Sequence, residues 1–317
     1  MCYDSSQKVQ STRVPPLQDG RIVTGSTSGE NVVGRRAVTS LGVLASSVVG
    51  PSRAEQTTKP VVLVIGASGK TGAQCVRALL KRGYAVRAGV RSVGKYVSLD
   101  ESKSDDDGDA LSLKDVLREY ANSDAVRVTR IDVTDNVAVL SRALLDEGVN
   151  YIVCATGFRP SALTVLGVGD TPQLVDNNGT KNIVDAALSC NVKGFVLVSS
   201  LLTNAKAVGQ GLNPNYVVLN LLGGVLDNKL EGELYLRKQS GALNWEIVRP
   251  GGLSDEPTSA YGSLVVQDED TLFGNDGDPG RVISRETVAA VCADAIDGMT
   301  SSDFVNRVVE IVQKPAL

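Results

Sequence analysis

The stretch that most constrains this chain runs from Val61 to Arg91, VVLVIGASGKTGAQCVRALLKRGYAVRAGVR. It opens on five consecutive branched apolar residues, Val61 to Ile65, and such a run suits a strand covered on both faces of a parallel sheet. Three glycines follow at fixed spacing, Gly66, Gly69 and Gly72. The pattern then turns helical, with Val76, Leu79 and Leu80 on one face and Lys81-Arg82 before a terminating Gly83. A second strand, Tyr84 to Val90, completes strand, glycine-rich turn, helix and strand in the roughly thirty residues a βαβ unit needs.

The chemistry of a dinucleotide explains the glycines. A pyrophosphate sits on backbone N–H groups at a helix N-terminus, where unsatisfied donors and the helix dipole both favour an anion. Gly66 permits the sharp turn, Gly69 lets the backbone reach the phosphates, and Gly72 lets the helix pack closely on the strand. The expected cradle is therefore Gly66, Ala67, Ser68, Gly69, Lys70, Thr71 and Gly72. An acid at the end of the second strand would select NAD, and a cation there accommodates the 2′-phosphate of NADP. This strand ends in Ala88-Gly89-Val90-Arg91 with no acid nearby. Arg91 is the expected 2′-phosphate ligand, since its planar fork matches a phosphate, and NADP(H) the expected cofactor.

Composition narrows the chemistry further. The 317 residues are 42% hydrophobic and 21% charged, ordinary for a globular protein, with a net charge of −4 that speaks against an electrostatic nucleic-acid binder. Aromatics at 4% are too sparse for a base-stacking platform. There is no histidine, which removes Ser-His-Asp triads, His-ligated zinc and histidine general bases together, and no metal site is expected. Cys2, Cys75, Cys154, Cys190 and Cys292 form no CxxC pair and read as free thiols, mostly buried.

Residues 1–58 lack sustained periodicity and read as a disordered targeting segment. Arg35-Arg36, the apolar stretch Ala37 to Gly50 and Ser52-Arg53-Ala54 make a twin-arginine-type export signal, and the preceding Ser/Thr-rich residues suit a plastid address, which places the protein in the chloroplast stroma or the thylakoid lumen. The apolar stretch is too short to span a membrane. From 59 to 317 strands alternate with helical segments, which predicts an α/β fold with a doubly wound parallel sheet and a small C-terminal lobe from about 251 for a substrate or partner. The acidic run around Asp100 to Asp109 reads as a solvated loop. Leu111 to Tyr120 is helical, Ala125 to Val133 is the third strand, Tyr151 to Cys154 the fourth and Phe195 to Val198 the fifth, with a helix near Gln173 to Cys190. Asp132 and Val133 end the third strand where the adenine lies in such a fold. Asp132 is the acceptor for its amino group or else a helix cap. Ala155, Thr156 and Gly157 end the fourth strand and let the backbone approach the cofactor.

GASGKTG, the Asp132 step, ATG at 155–157, VLVSS at 196–200 and IVRPGGL at 247–253 together resemble the atypical short-chain dehydrogenase/reductase family, a Rossmann-type fold. Within it, RAGVRS at 87–92, DNNGTKNIVDAA at 176–187, VLNLLGGVLDNKLEGE at 218–233 and DTLFG at 270–274 are most similar to the NADPH-binding region of the redox-sensing subunit of the chloroplast inner-envelope translocon and its plastid and cyanobacterial relatives. The resemblance covers about residues 60 to 314. The Pro/Ser-rich tail by which that subunit binds ferredoxin–NADP reductase does not follow, and that partner is not carried over. The family's catalytic set is a Ser and a Tyr-x-x-x-Lys. It puts Ser199 or Ser200 at the serine, Lys229 at the lysine and Val225 where the tyrosine belongs. Lys229 remains a ligand for the nicotinamide ribose, and Arg249 with Pro250, Gly251 and Gly252 is expected to line the nicotinamide end. Valine cannot protonate a reduced carbonyl. Two functions therefore stand side by side: an NADPH-dependent oxidoreductase on a small substrate, and a non-catalytic NADPH-binding redox sensor that docks a partner. The partner is a small molecule or a redox protein, with neither nucleic acid nor a spanning membrane segment involved.

Overall fold

The computed structural model describes residues 60–97, 110–160, 168–221, 223–301 and 304–316. Residues 1–58, read above as a targeting segment, and the acidic run read above as a solvated loop lie outside them. Residues 56–317 form one compact unit.

Strand β1, Val61–Ile65, pairs in parallel with β2, Ala85–Val90, on one side and β4, Tyr151–Cys154, on the other. Its unbroken apolar run has the expected cause. Val62 and Val64 pack into one core, Leu63 and Ile65 into another, so the strand is covered on both faces. The first core is filled by α1, Lys70–Lys81, α2, Leu113–Glu119, and the late helix α7, Arg285–Met299. The second is filled by α3, Val137–Asp146, and α4, Thr180–Ser189.

β3, Val126–Arg130, closes one edge beyond β2, while β5, Gly194–Val198, and β6, Asn244–Pro250, continue the sheet beyond β4. The order β3-β2-β1-β4-β5-β6 reverses direction at β1. In open α/β sheets, ligands bind outside the carboxyl ends of the strands at such a switch point.

The C-terminal part is built onto this sheet. β7, Gly252–Ser254, β8, Leu264–Asp268, β9, Val282–Ser284, and β10, Arg307–Gln313, extend it. β10 lies parallel to β6 and antiparallel to β8 and β9. Two further helices, α5, Pro214–Asn220, and α6, Val225–Arg237, stand between β5 and β6. The helix expected near 173–190 is present, but Gln173–Gly179 winds as a wider π-type turn before α4. Such wide turns recur at functional sites, and this one carries Asp176 into the interior.

Candidate functional site

The glycine-rich turn has the shape the sequence requires. Gly66 adopts φ +79°, and a Cβ there would stand 2.9 Å from the Ala155 carbonyl oxygen. A Cβ on Gly72 would overlap the Gly66 carbonyl, so only glycine lets α1 begin against the turn. Ser112, Asn136, Asn213 and Ser284 close the N-termini of α2, α3, α5 and α7 with side-chain hydrogen bonds. α1 begins at Gly69 with no side-chain cap and no acid in its first turn, which leaves its N–H groups for a ligand. Gly66, Ser68 and Gly69 line a cavity there. Ala67, Thr71 and Gly72 shape the turn without lining it, and Lys70 turns aside to Asp255, Nζ to Oδ2 2.8 Å.

Arg91 lines the same cavity beside Gly89 and Val90. It does so as half of an ion pair with Asp170, an acid brought from the loop before the wide turn. Asp132 and Val133 line the opposite wall. Asp132 Oδ1 accepts from the Thr134 N–H at 3.0 Å and hydroxyl at 2.8 Å, while Asn136 caps α3, so Asp132 is no helix cap. Sequence reasoning passed over Arg159. Its guanidinium lies 3.1 Å from where a Gly69 Cβ would be, directly over the start of α1. Its only signal was a cation two residues past Ala155-Thr156-Gly157.

Ala155, Thr156 and Gly157 line the cavity at the end of β4. A Gly157 Cβ would stand 3.3 Å from the Lys229 Nζ, so the lysine expected at the ribose lies beside this end of the cavity. Lys229 is held by Asp176, Nζ to Oδ1 2.9 Å, and Asp176, 1% exposed, also accepts from the Phe158 N–H. Val225 opens α6, four residues before Lys229. The two tyrosines nearest in sequence are engaged elsewhere. The Tyr216 hydroxyl donates to Asp227 and the Tyr235 hydroxyl to Asp185, and neither lines this cavity or the one described next.

Ser199 and Ser200, with Pro250 and Gly251, line a second cavity of about 660 Å³ where β5 and β6 end, next to β4, which ends in Cys154. The Ser199 hydroxyl donates to Glu233, which is wholly buried. Arg249 departs from expectation. It does not line the nicotinamide end; it is buried beneath, where Glu233 at 2.7 Å, Asp270 at 2.9 Å and Glu310 at 3.4 Å surround it. Burial works against its charge, but the Glu233, Asp270 and Glu310 carboxylates push its pKa up and keep it a cation. β6 alternates faces, and Arg249 needs these three acids, from α6, the turn after β8 and β10, which no local pattern announces.

Cys75, Cys154 and Cys292 are buried free thiols and Cys190 is half-buried, as read from the sequence. Burial pushes the Cys154 thiol up, which leaves it unreactive. No His/Cys/Asp/Glu group among the described residues is arranged to hold a metal.

The uncapped helix start, the glycines whose Cβ atoms would fill the cradle, and Arg159 above it fit a dinucleotide. A family model described as NAD(P)H-binding matches residues 110–298. An uncharacterized chloroplastic protein of Arabidopsis thaliana is 40% identical over 80% of this chain and 76% of its own length. Protein TIC 62, chloroplastic, of the same plant is 35% identical over 73% of this chain. The match spans 34% of that longer protein. A short-chain dehydrogenase/reductase from Veillonella parvula, solved in complex with NADP, shares the fold at TM-score 0.54 and 14% identity, covering 81% of this chain and 99% of its own.

Proposed function

The chain belongs to the NAD(P)H-binding, reductase-like family, and on that footing we propose that it is an NADPH-dependent oxidoreductase acting on a small organic acceptor. The observation that carries this reading is the second cavity. A protein that only bound the nucleotide would need the first, whereas here a space of drug-like size opens at the end of β5, the strand next to β4. When bound, NADPH supplies the hydride. Gly66, Ser68, Gly69 and Arg159 hold its pyrophosphate, Arg91 the 2′-phosphate, and Lys229 the nicotinamide ribose. Ser199 is engaged by Glu233, so Ser200 is the hydroxyl left to orient an acceptor oxygen. With no phenol to protonate an alkoxide, the chain suits acceptors whose reduced anion is stable in itself, such as quinones. NADPH oxidation measured over a panel of quinones and simple carbonyls tests this. Turnover of quinones supports it, and silence across the panel with tight NADPH binding sinks it.

Val225 also favours the second reading, a redox sensor that binds NADPH and docks a protein. TIC 62 is a longer protein, and its assembly is not carried over to this chain. The chloroplastic names of both relatives support a plastid address for residues 1–58, in the stroma or, through Arg35-Arg36, the thylakoid lumen. Import of the labelled precursor into isolated chloroplasts, followed by fractionation, tests both steps. No helix among the described residues is long and apolar enough to cross a membrane.

A further inference from the structure

The wall of the second cavity is chemically one-sided. Leu201, Leu202, Val218, Leu219 and Leu253 give it an apolar body, and Val218 and Leu219 are 61% and 46% exposed on the outer face of α5. Its only charged lining residues among those described are Arg281 and Arg285; no acid faces it. A cation in an apolar wall needs compensation, and both have it from outside the cavity. Arg285 meets Asp255 at 2.5 Å, and Asp255 is shared with Lys70. Arg281 pairs with Asp276, whose side chain is 97% exposed, and its Nε donates to the Asn275 carbonyl at 3.3 Å. The two guanidinium groups are thus the charged groups on the wall, while the acids they pair with, Asp255 and Asp276, stand outside the lining.

The positions of the two arginines are set by the fold. The Arg281 carbonyl accepts from the Gly252 N–H at 2.8 Å, which fixes the chain entering β9, and Arg285 is the first residue of α7. An exposed ion pair such as Arg281–Asp276 is weak and yields to a ligand anion that adds burial. A carboxylate or sulfonate takes an arginine fork through two parallel hydrogen bonds.

We propose that this cavity is selective for an anionic ligand: an apolar ring body carrying a carboxylate or sulfonate that Arg281 and Arg285 bind. The proposal rests on the reading of the second cavity as the substrate site, but not on turnover. Its test uses the full chain saturated with NADP⁺, so that the nucleotide cavity is filled. The probes are 8-anilinonaphthalene-1-sulfonate and its uncharged counterpart N-phenyl-1-naphthylamine, each titrated by fluorescence. The sulfonate binds at least about tenfold tighter. In Arg281→Gln/Arg285→Gln that margin vanishes, while the affinity of the uncharged probe stays within about twofold. Leu253→Trp, which fills the cavity, weakens both probes. Where the double variant fails to fold, Arg281→Gln alone, at a half-exposed position, shows the same loss in smaller measure. Equal affinity of wild type for the two probes overturns the proposal. So does a sulfonate affinity unchanged by the arginine variants, or probe binding that Leu253→Trp spares. Weakened NADP⁺ binding in Arg285→Gln, with sulfonate binding intact, overturns it too, by assigning that arginine to the cofactor. Silence toward quinones with selective sulfonate binding defeats the oxidoreductase reading alone, and quinone turnover without sulfonate selectivity defeats this proposal alone.

Discussion

Lys229 Nζ lies 2.9 Å from Asp176 Oδ1, so the cation one helical turn after Val225 is anchored by a carboxylate that is 1% exposed. The pair spans two elements, α6 and the wide turn, and sits against Gly157 at the cofactor cavity. Removing one member leaves a buried charge, which costs about 3 kcal/mol. Lys229→Met therefore lowers both the melting temperature and NADPH affinity. Adding Asp176→Asn recovers most of the stability and none of the affinity, because the proposed ribose contact is the lysine's alone. Calorimetry and nucleotide titration on the two variants check this; recovery of both together would make Lys229 purely structural.

Val225→Tyr restores the Tyr-x-x-x-Lys spacing and puts both side chains on one helix face. General acid catalysis contributes roughly a hundred- to ten-thousand-fold. The variant gains reduction of simple aldehydes and ketones, with NADPH affinity little changed. Steady-state rates beside wild type measure the gain, and a wild type already fast on carbonyls contradicts the premise.

In the proposed binding mode Arg91 takes the 2′-phosphate and Arg159 the pyrophosphate. Arg91→Asp abolishes the preference for NADPH over NADH. Asp170→Asn frees Arg91 from its partner and tightens NADPH alone. Equal affinity of wild type for NADPH and NADH would remove Arg91 from the site.

Arg159→Ala weakens NADPH and NADH alike, since both carry the pyrophosphate. A lost charged hydrogen bond of about 1.5–3 kcal/mol corresponds to roughly ten- to a hundredfold. Discrimination between the two nucleotides in that variant would move Arg159 to the 2′-phosphate.

Asp255 ties Lys70 on the glycine-rich turn to Arg285 on α7. Partial burial raises its pKa, but the Lys70 hydrogen bond and the Arg285 charge outweigh this and hold it below the usual value. A depressed carboxyl contributes stability above its unfolded pKa, near about 4, and loses it as pH falls through the folded value. The side chain is 39% exposed, so the contribution is about 1 kcal/mol or less. Asp255→Asn therefore melts below wild type at pH 7, and the gap closes as pH falls below about 4. A gap independent of pH would mean that the ion pairs carry none of it.

The sequence by itself determined the βαβ unit and its ligand. Val61–Ile65 had to be a strand covered on both faces, and Gly66 and Gly72 had to be glycine, because those demands are local: one φ, one close approach, one periodicity. Arg91 was legible as a candidate for a similar reason, at the end of the second strand, whereas Lys229 came only from the family resemblance. What faces them was not legible. Asp170 reaches Arg91 across 79 residues and Asp176 reaches Lys229 across 53. Only the tertiary structure decided that Arg249 would be buried among Glu233, Asp270 and Glu310, and that Arg281 and Arg285 would share a cavity wall with Ser200. A strand's alternation tells which way a side chain points, but a charge buried at that position is stable only if other elements bring its counter-charges. Those elements meet only when the sheet assembles.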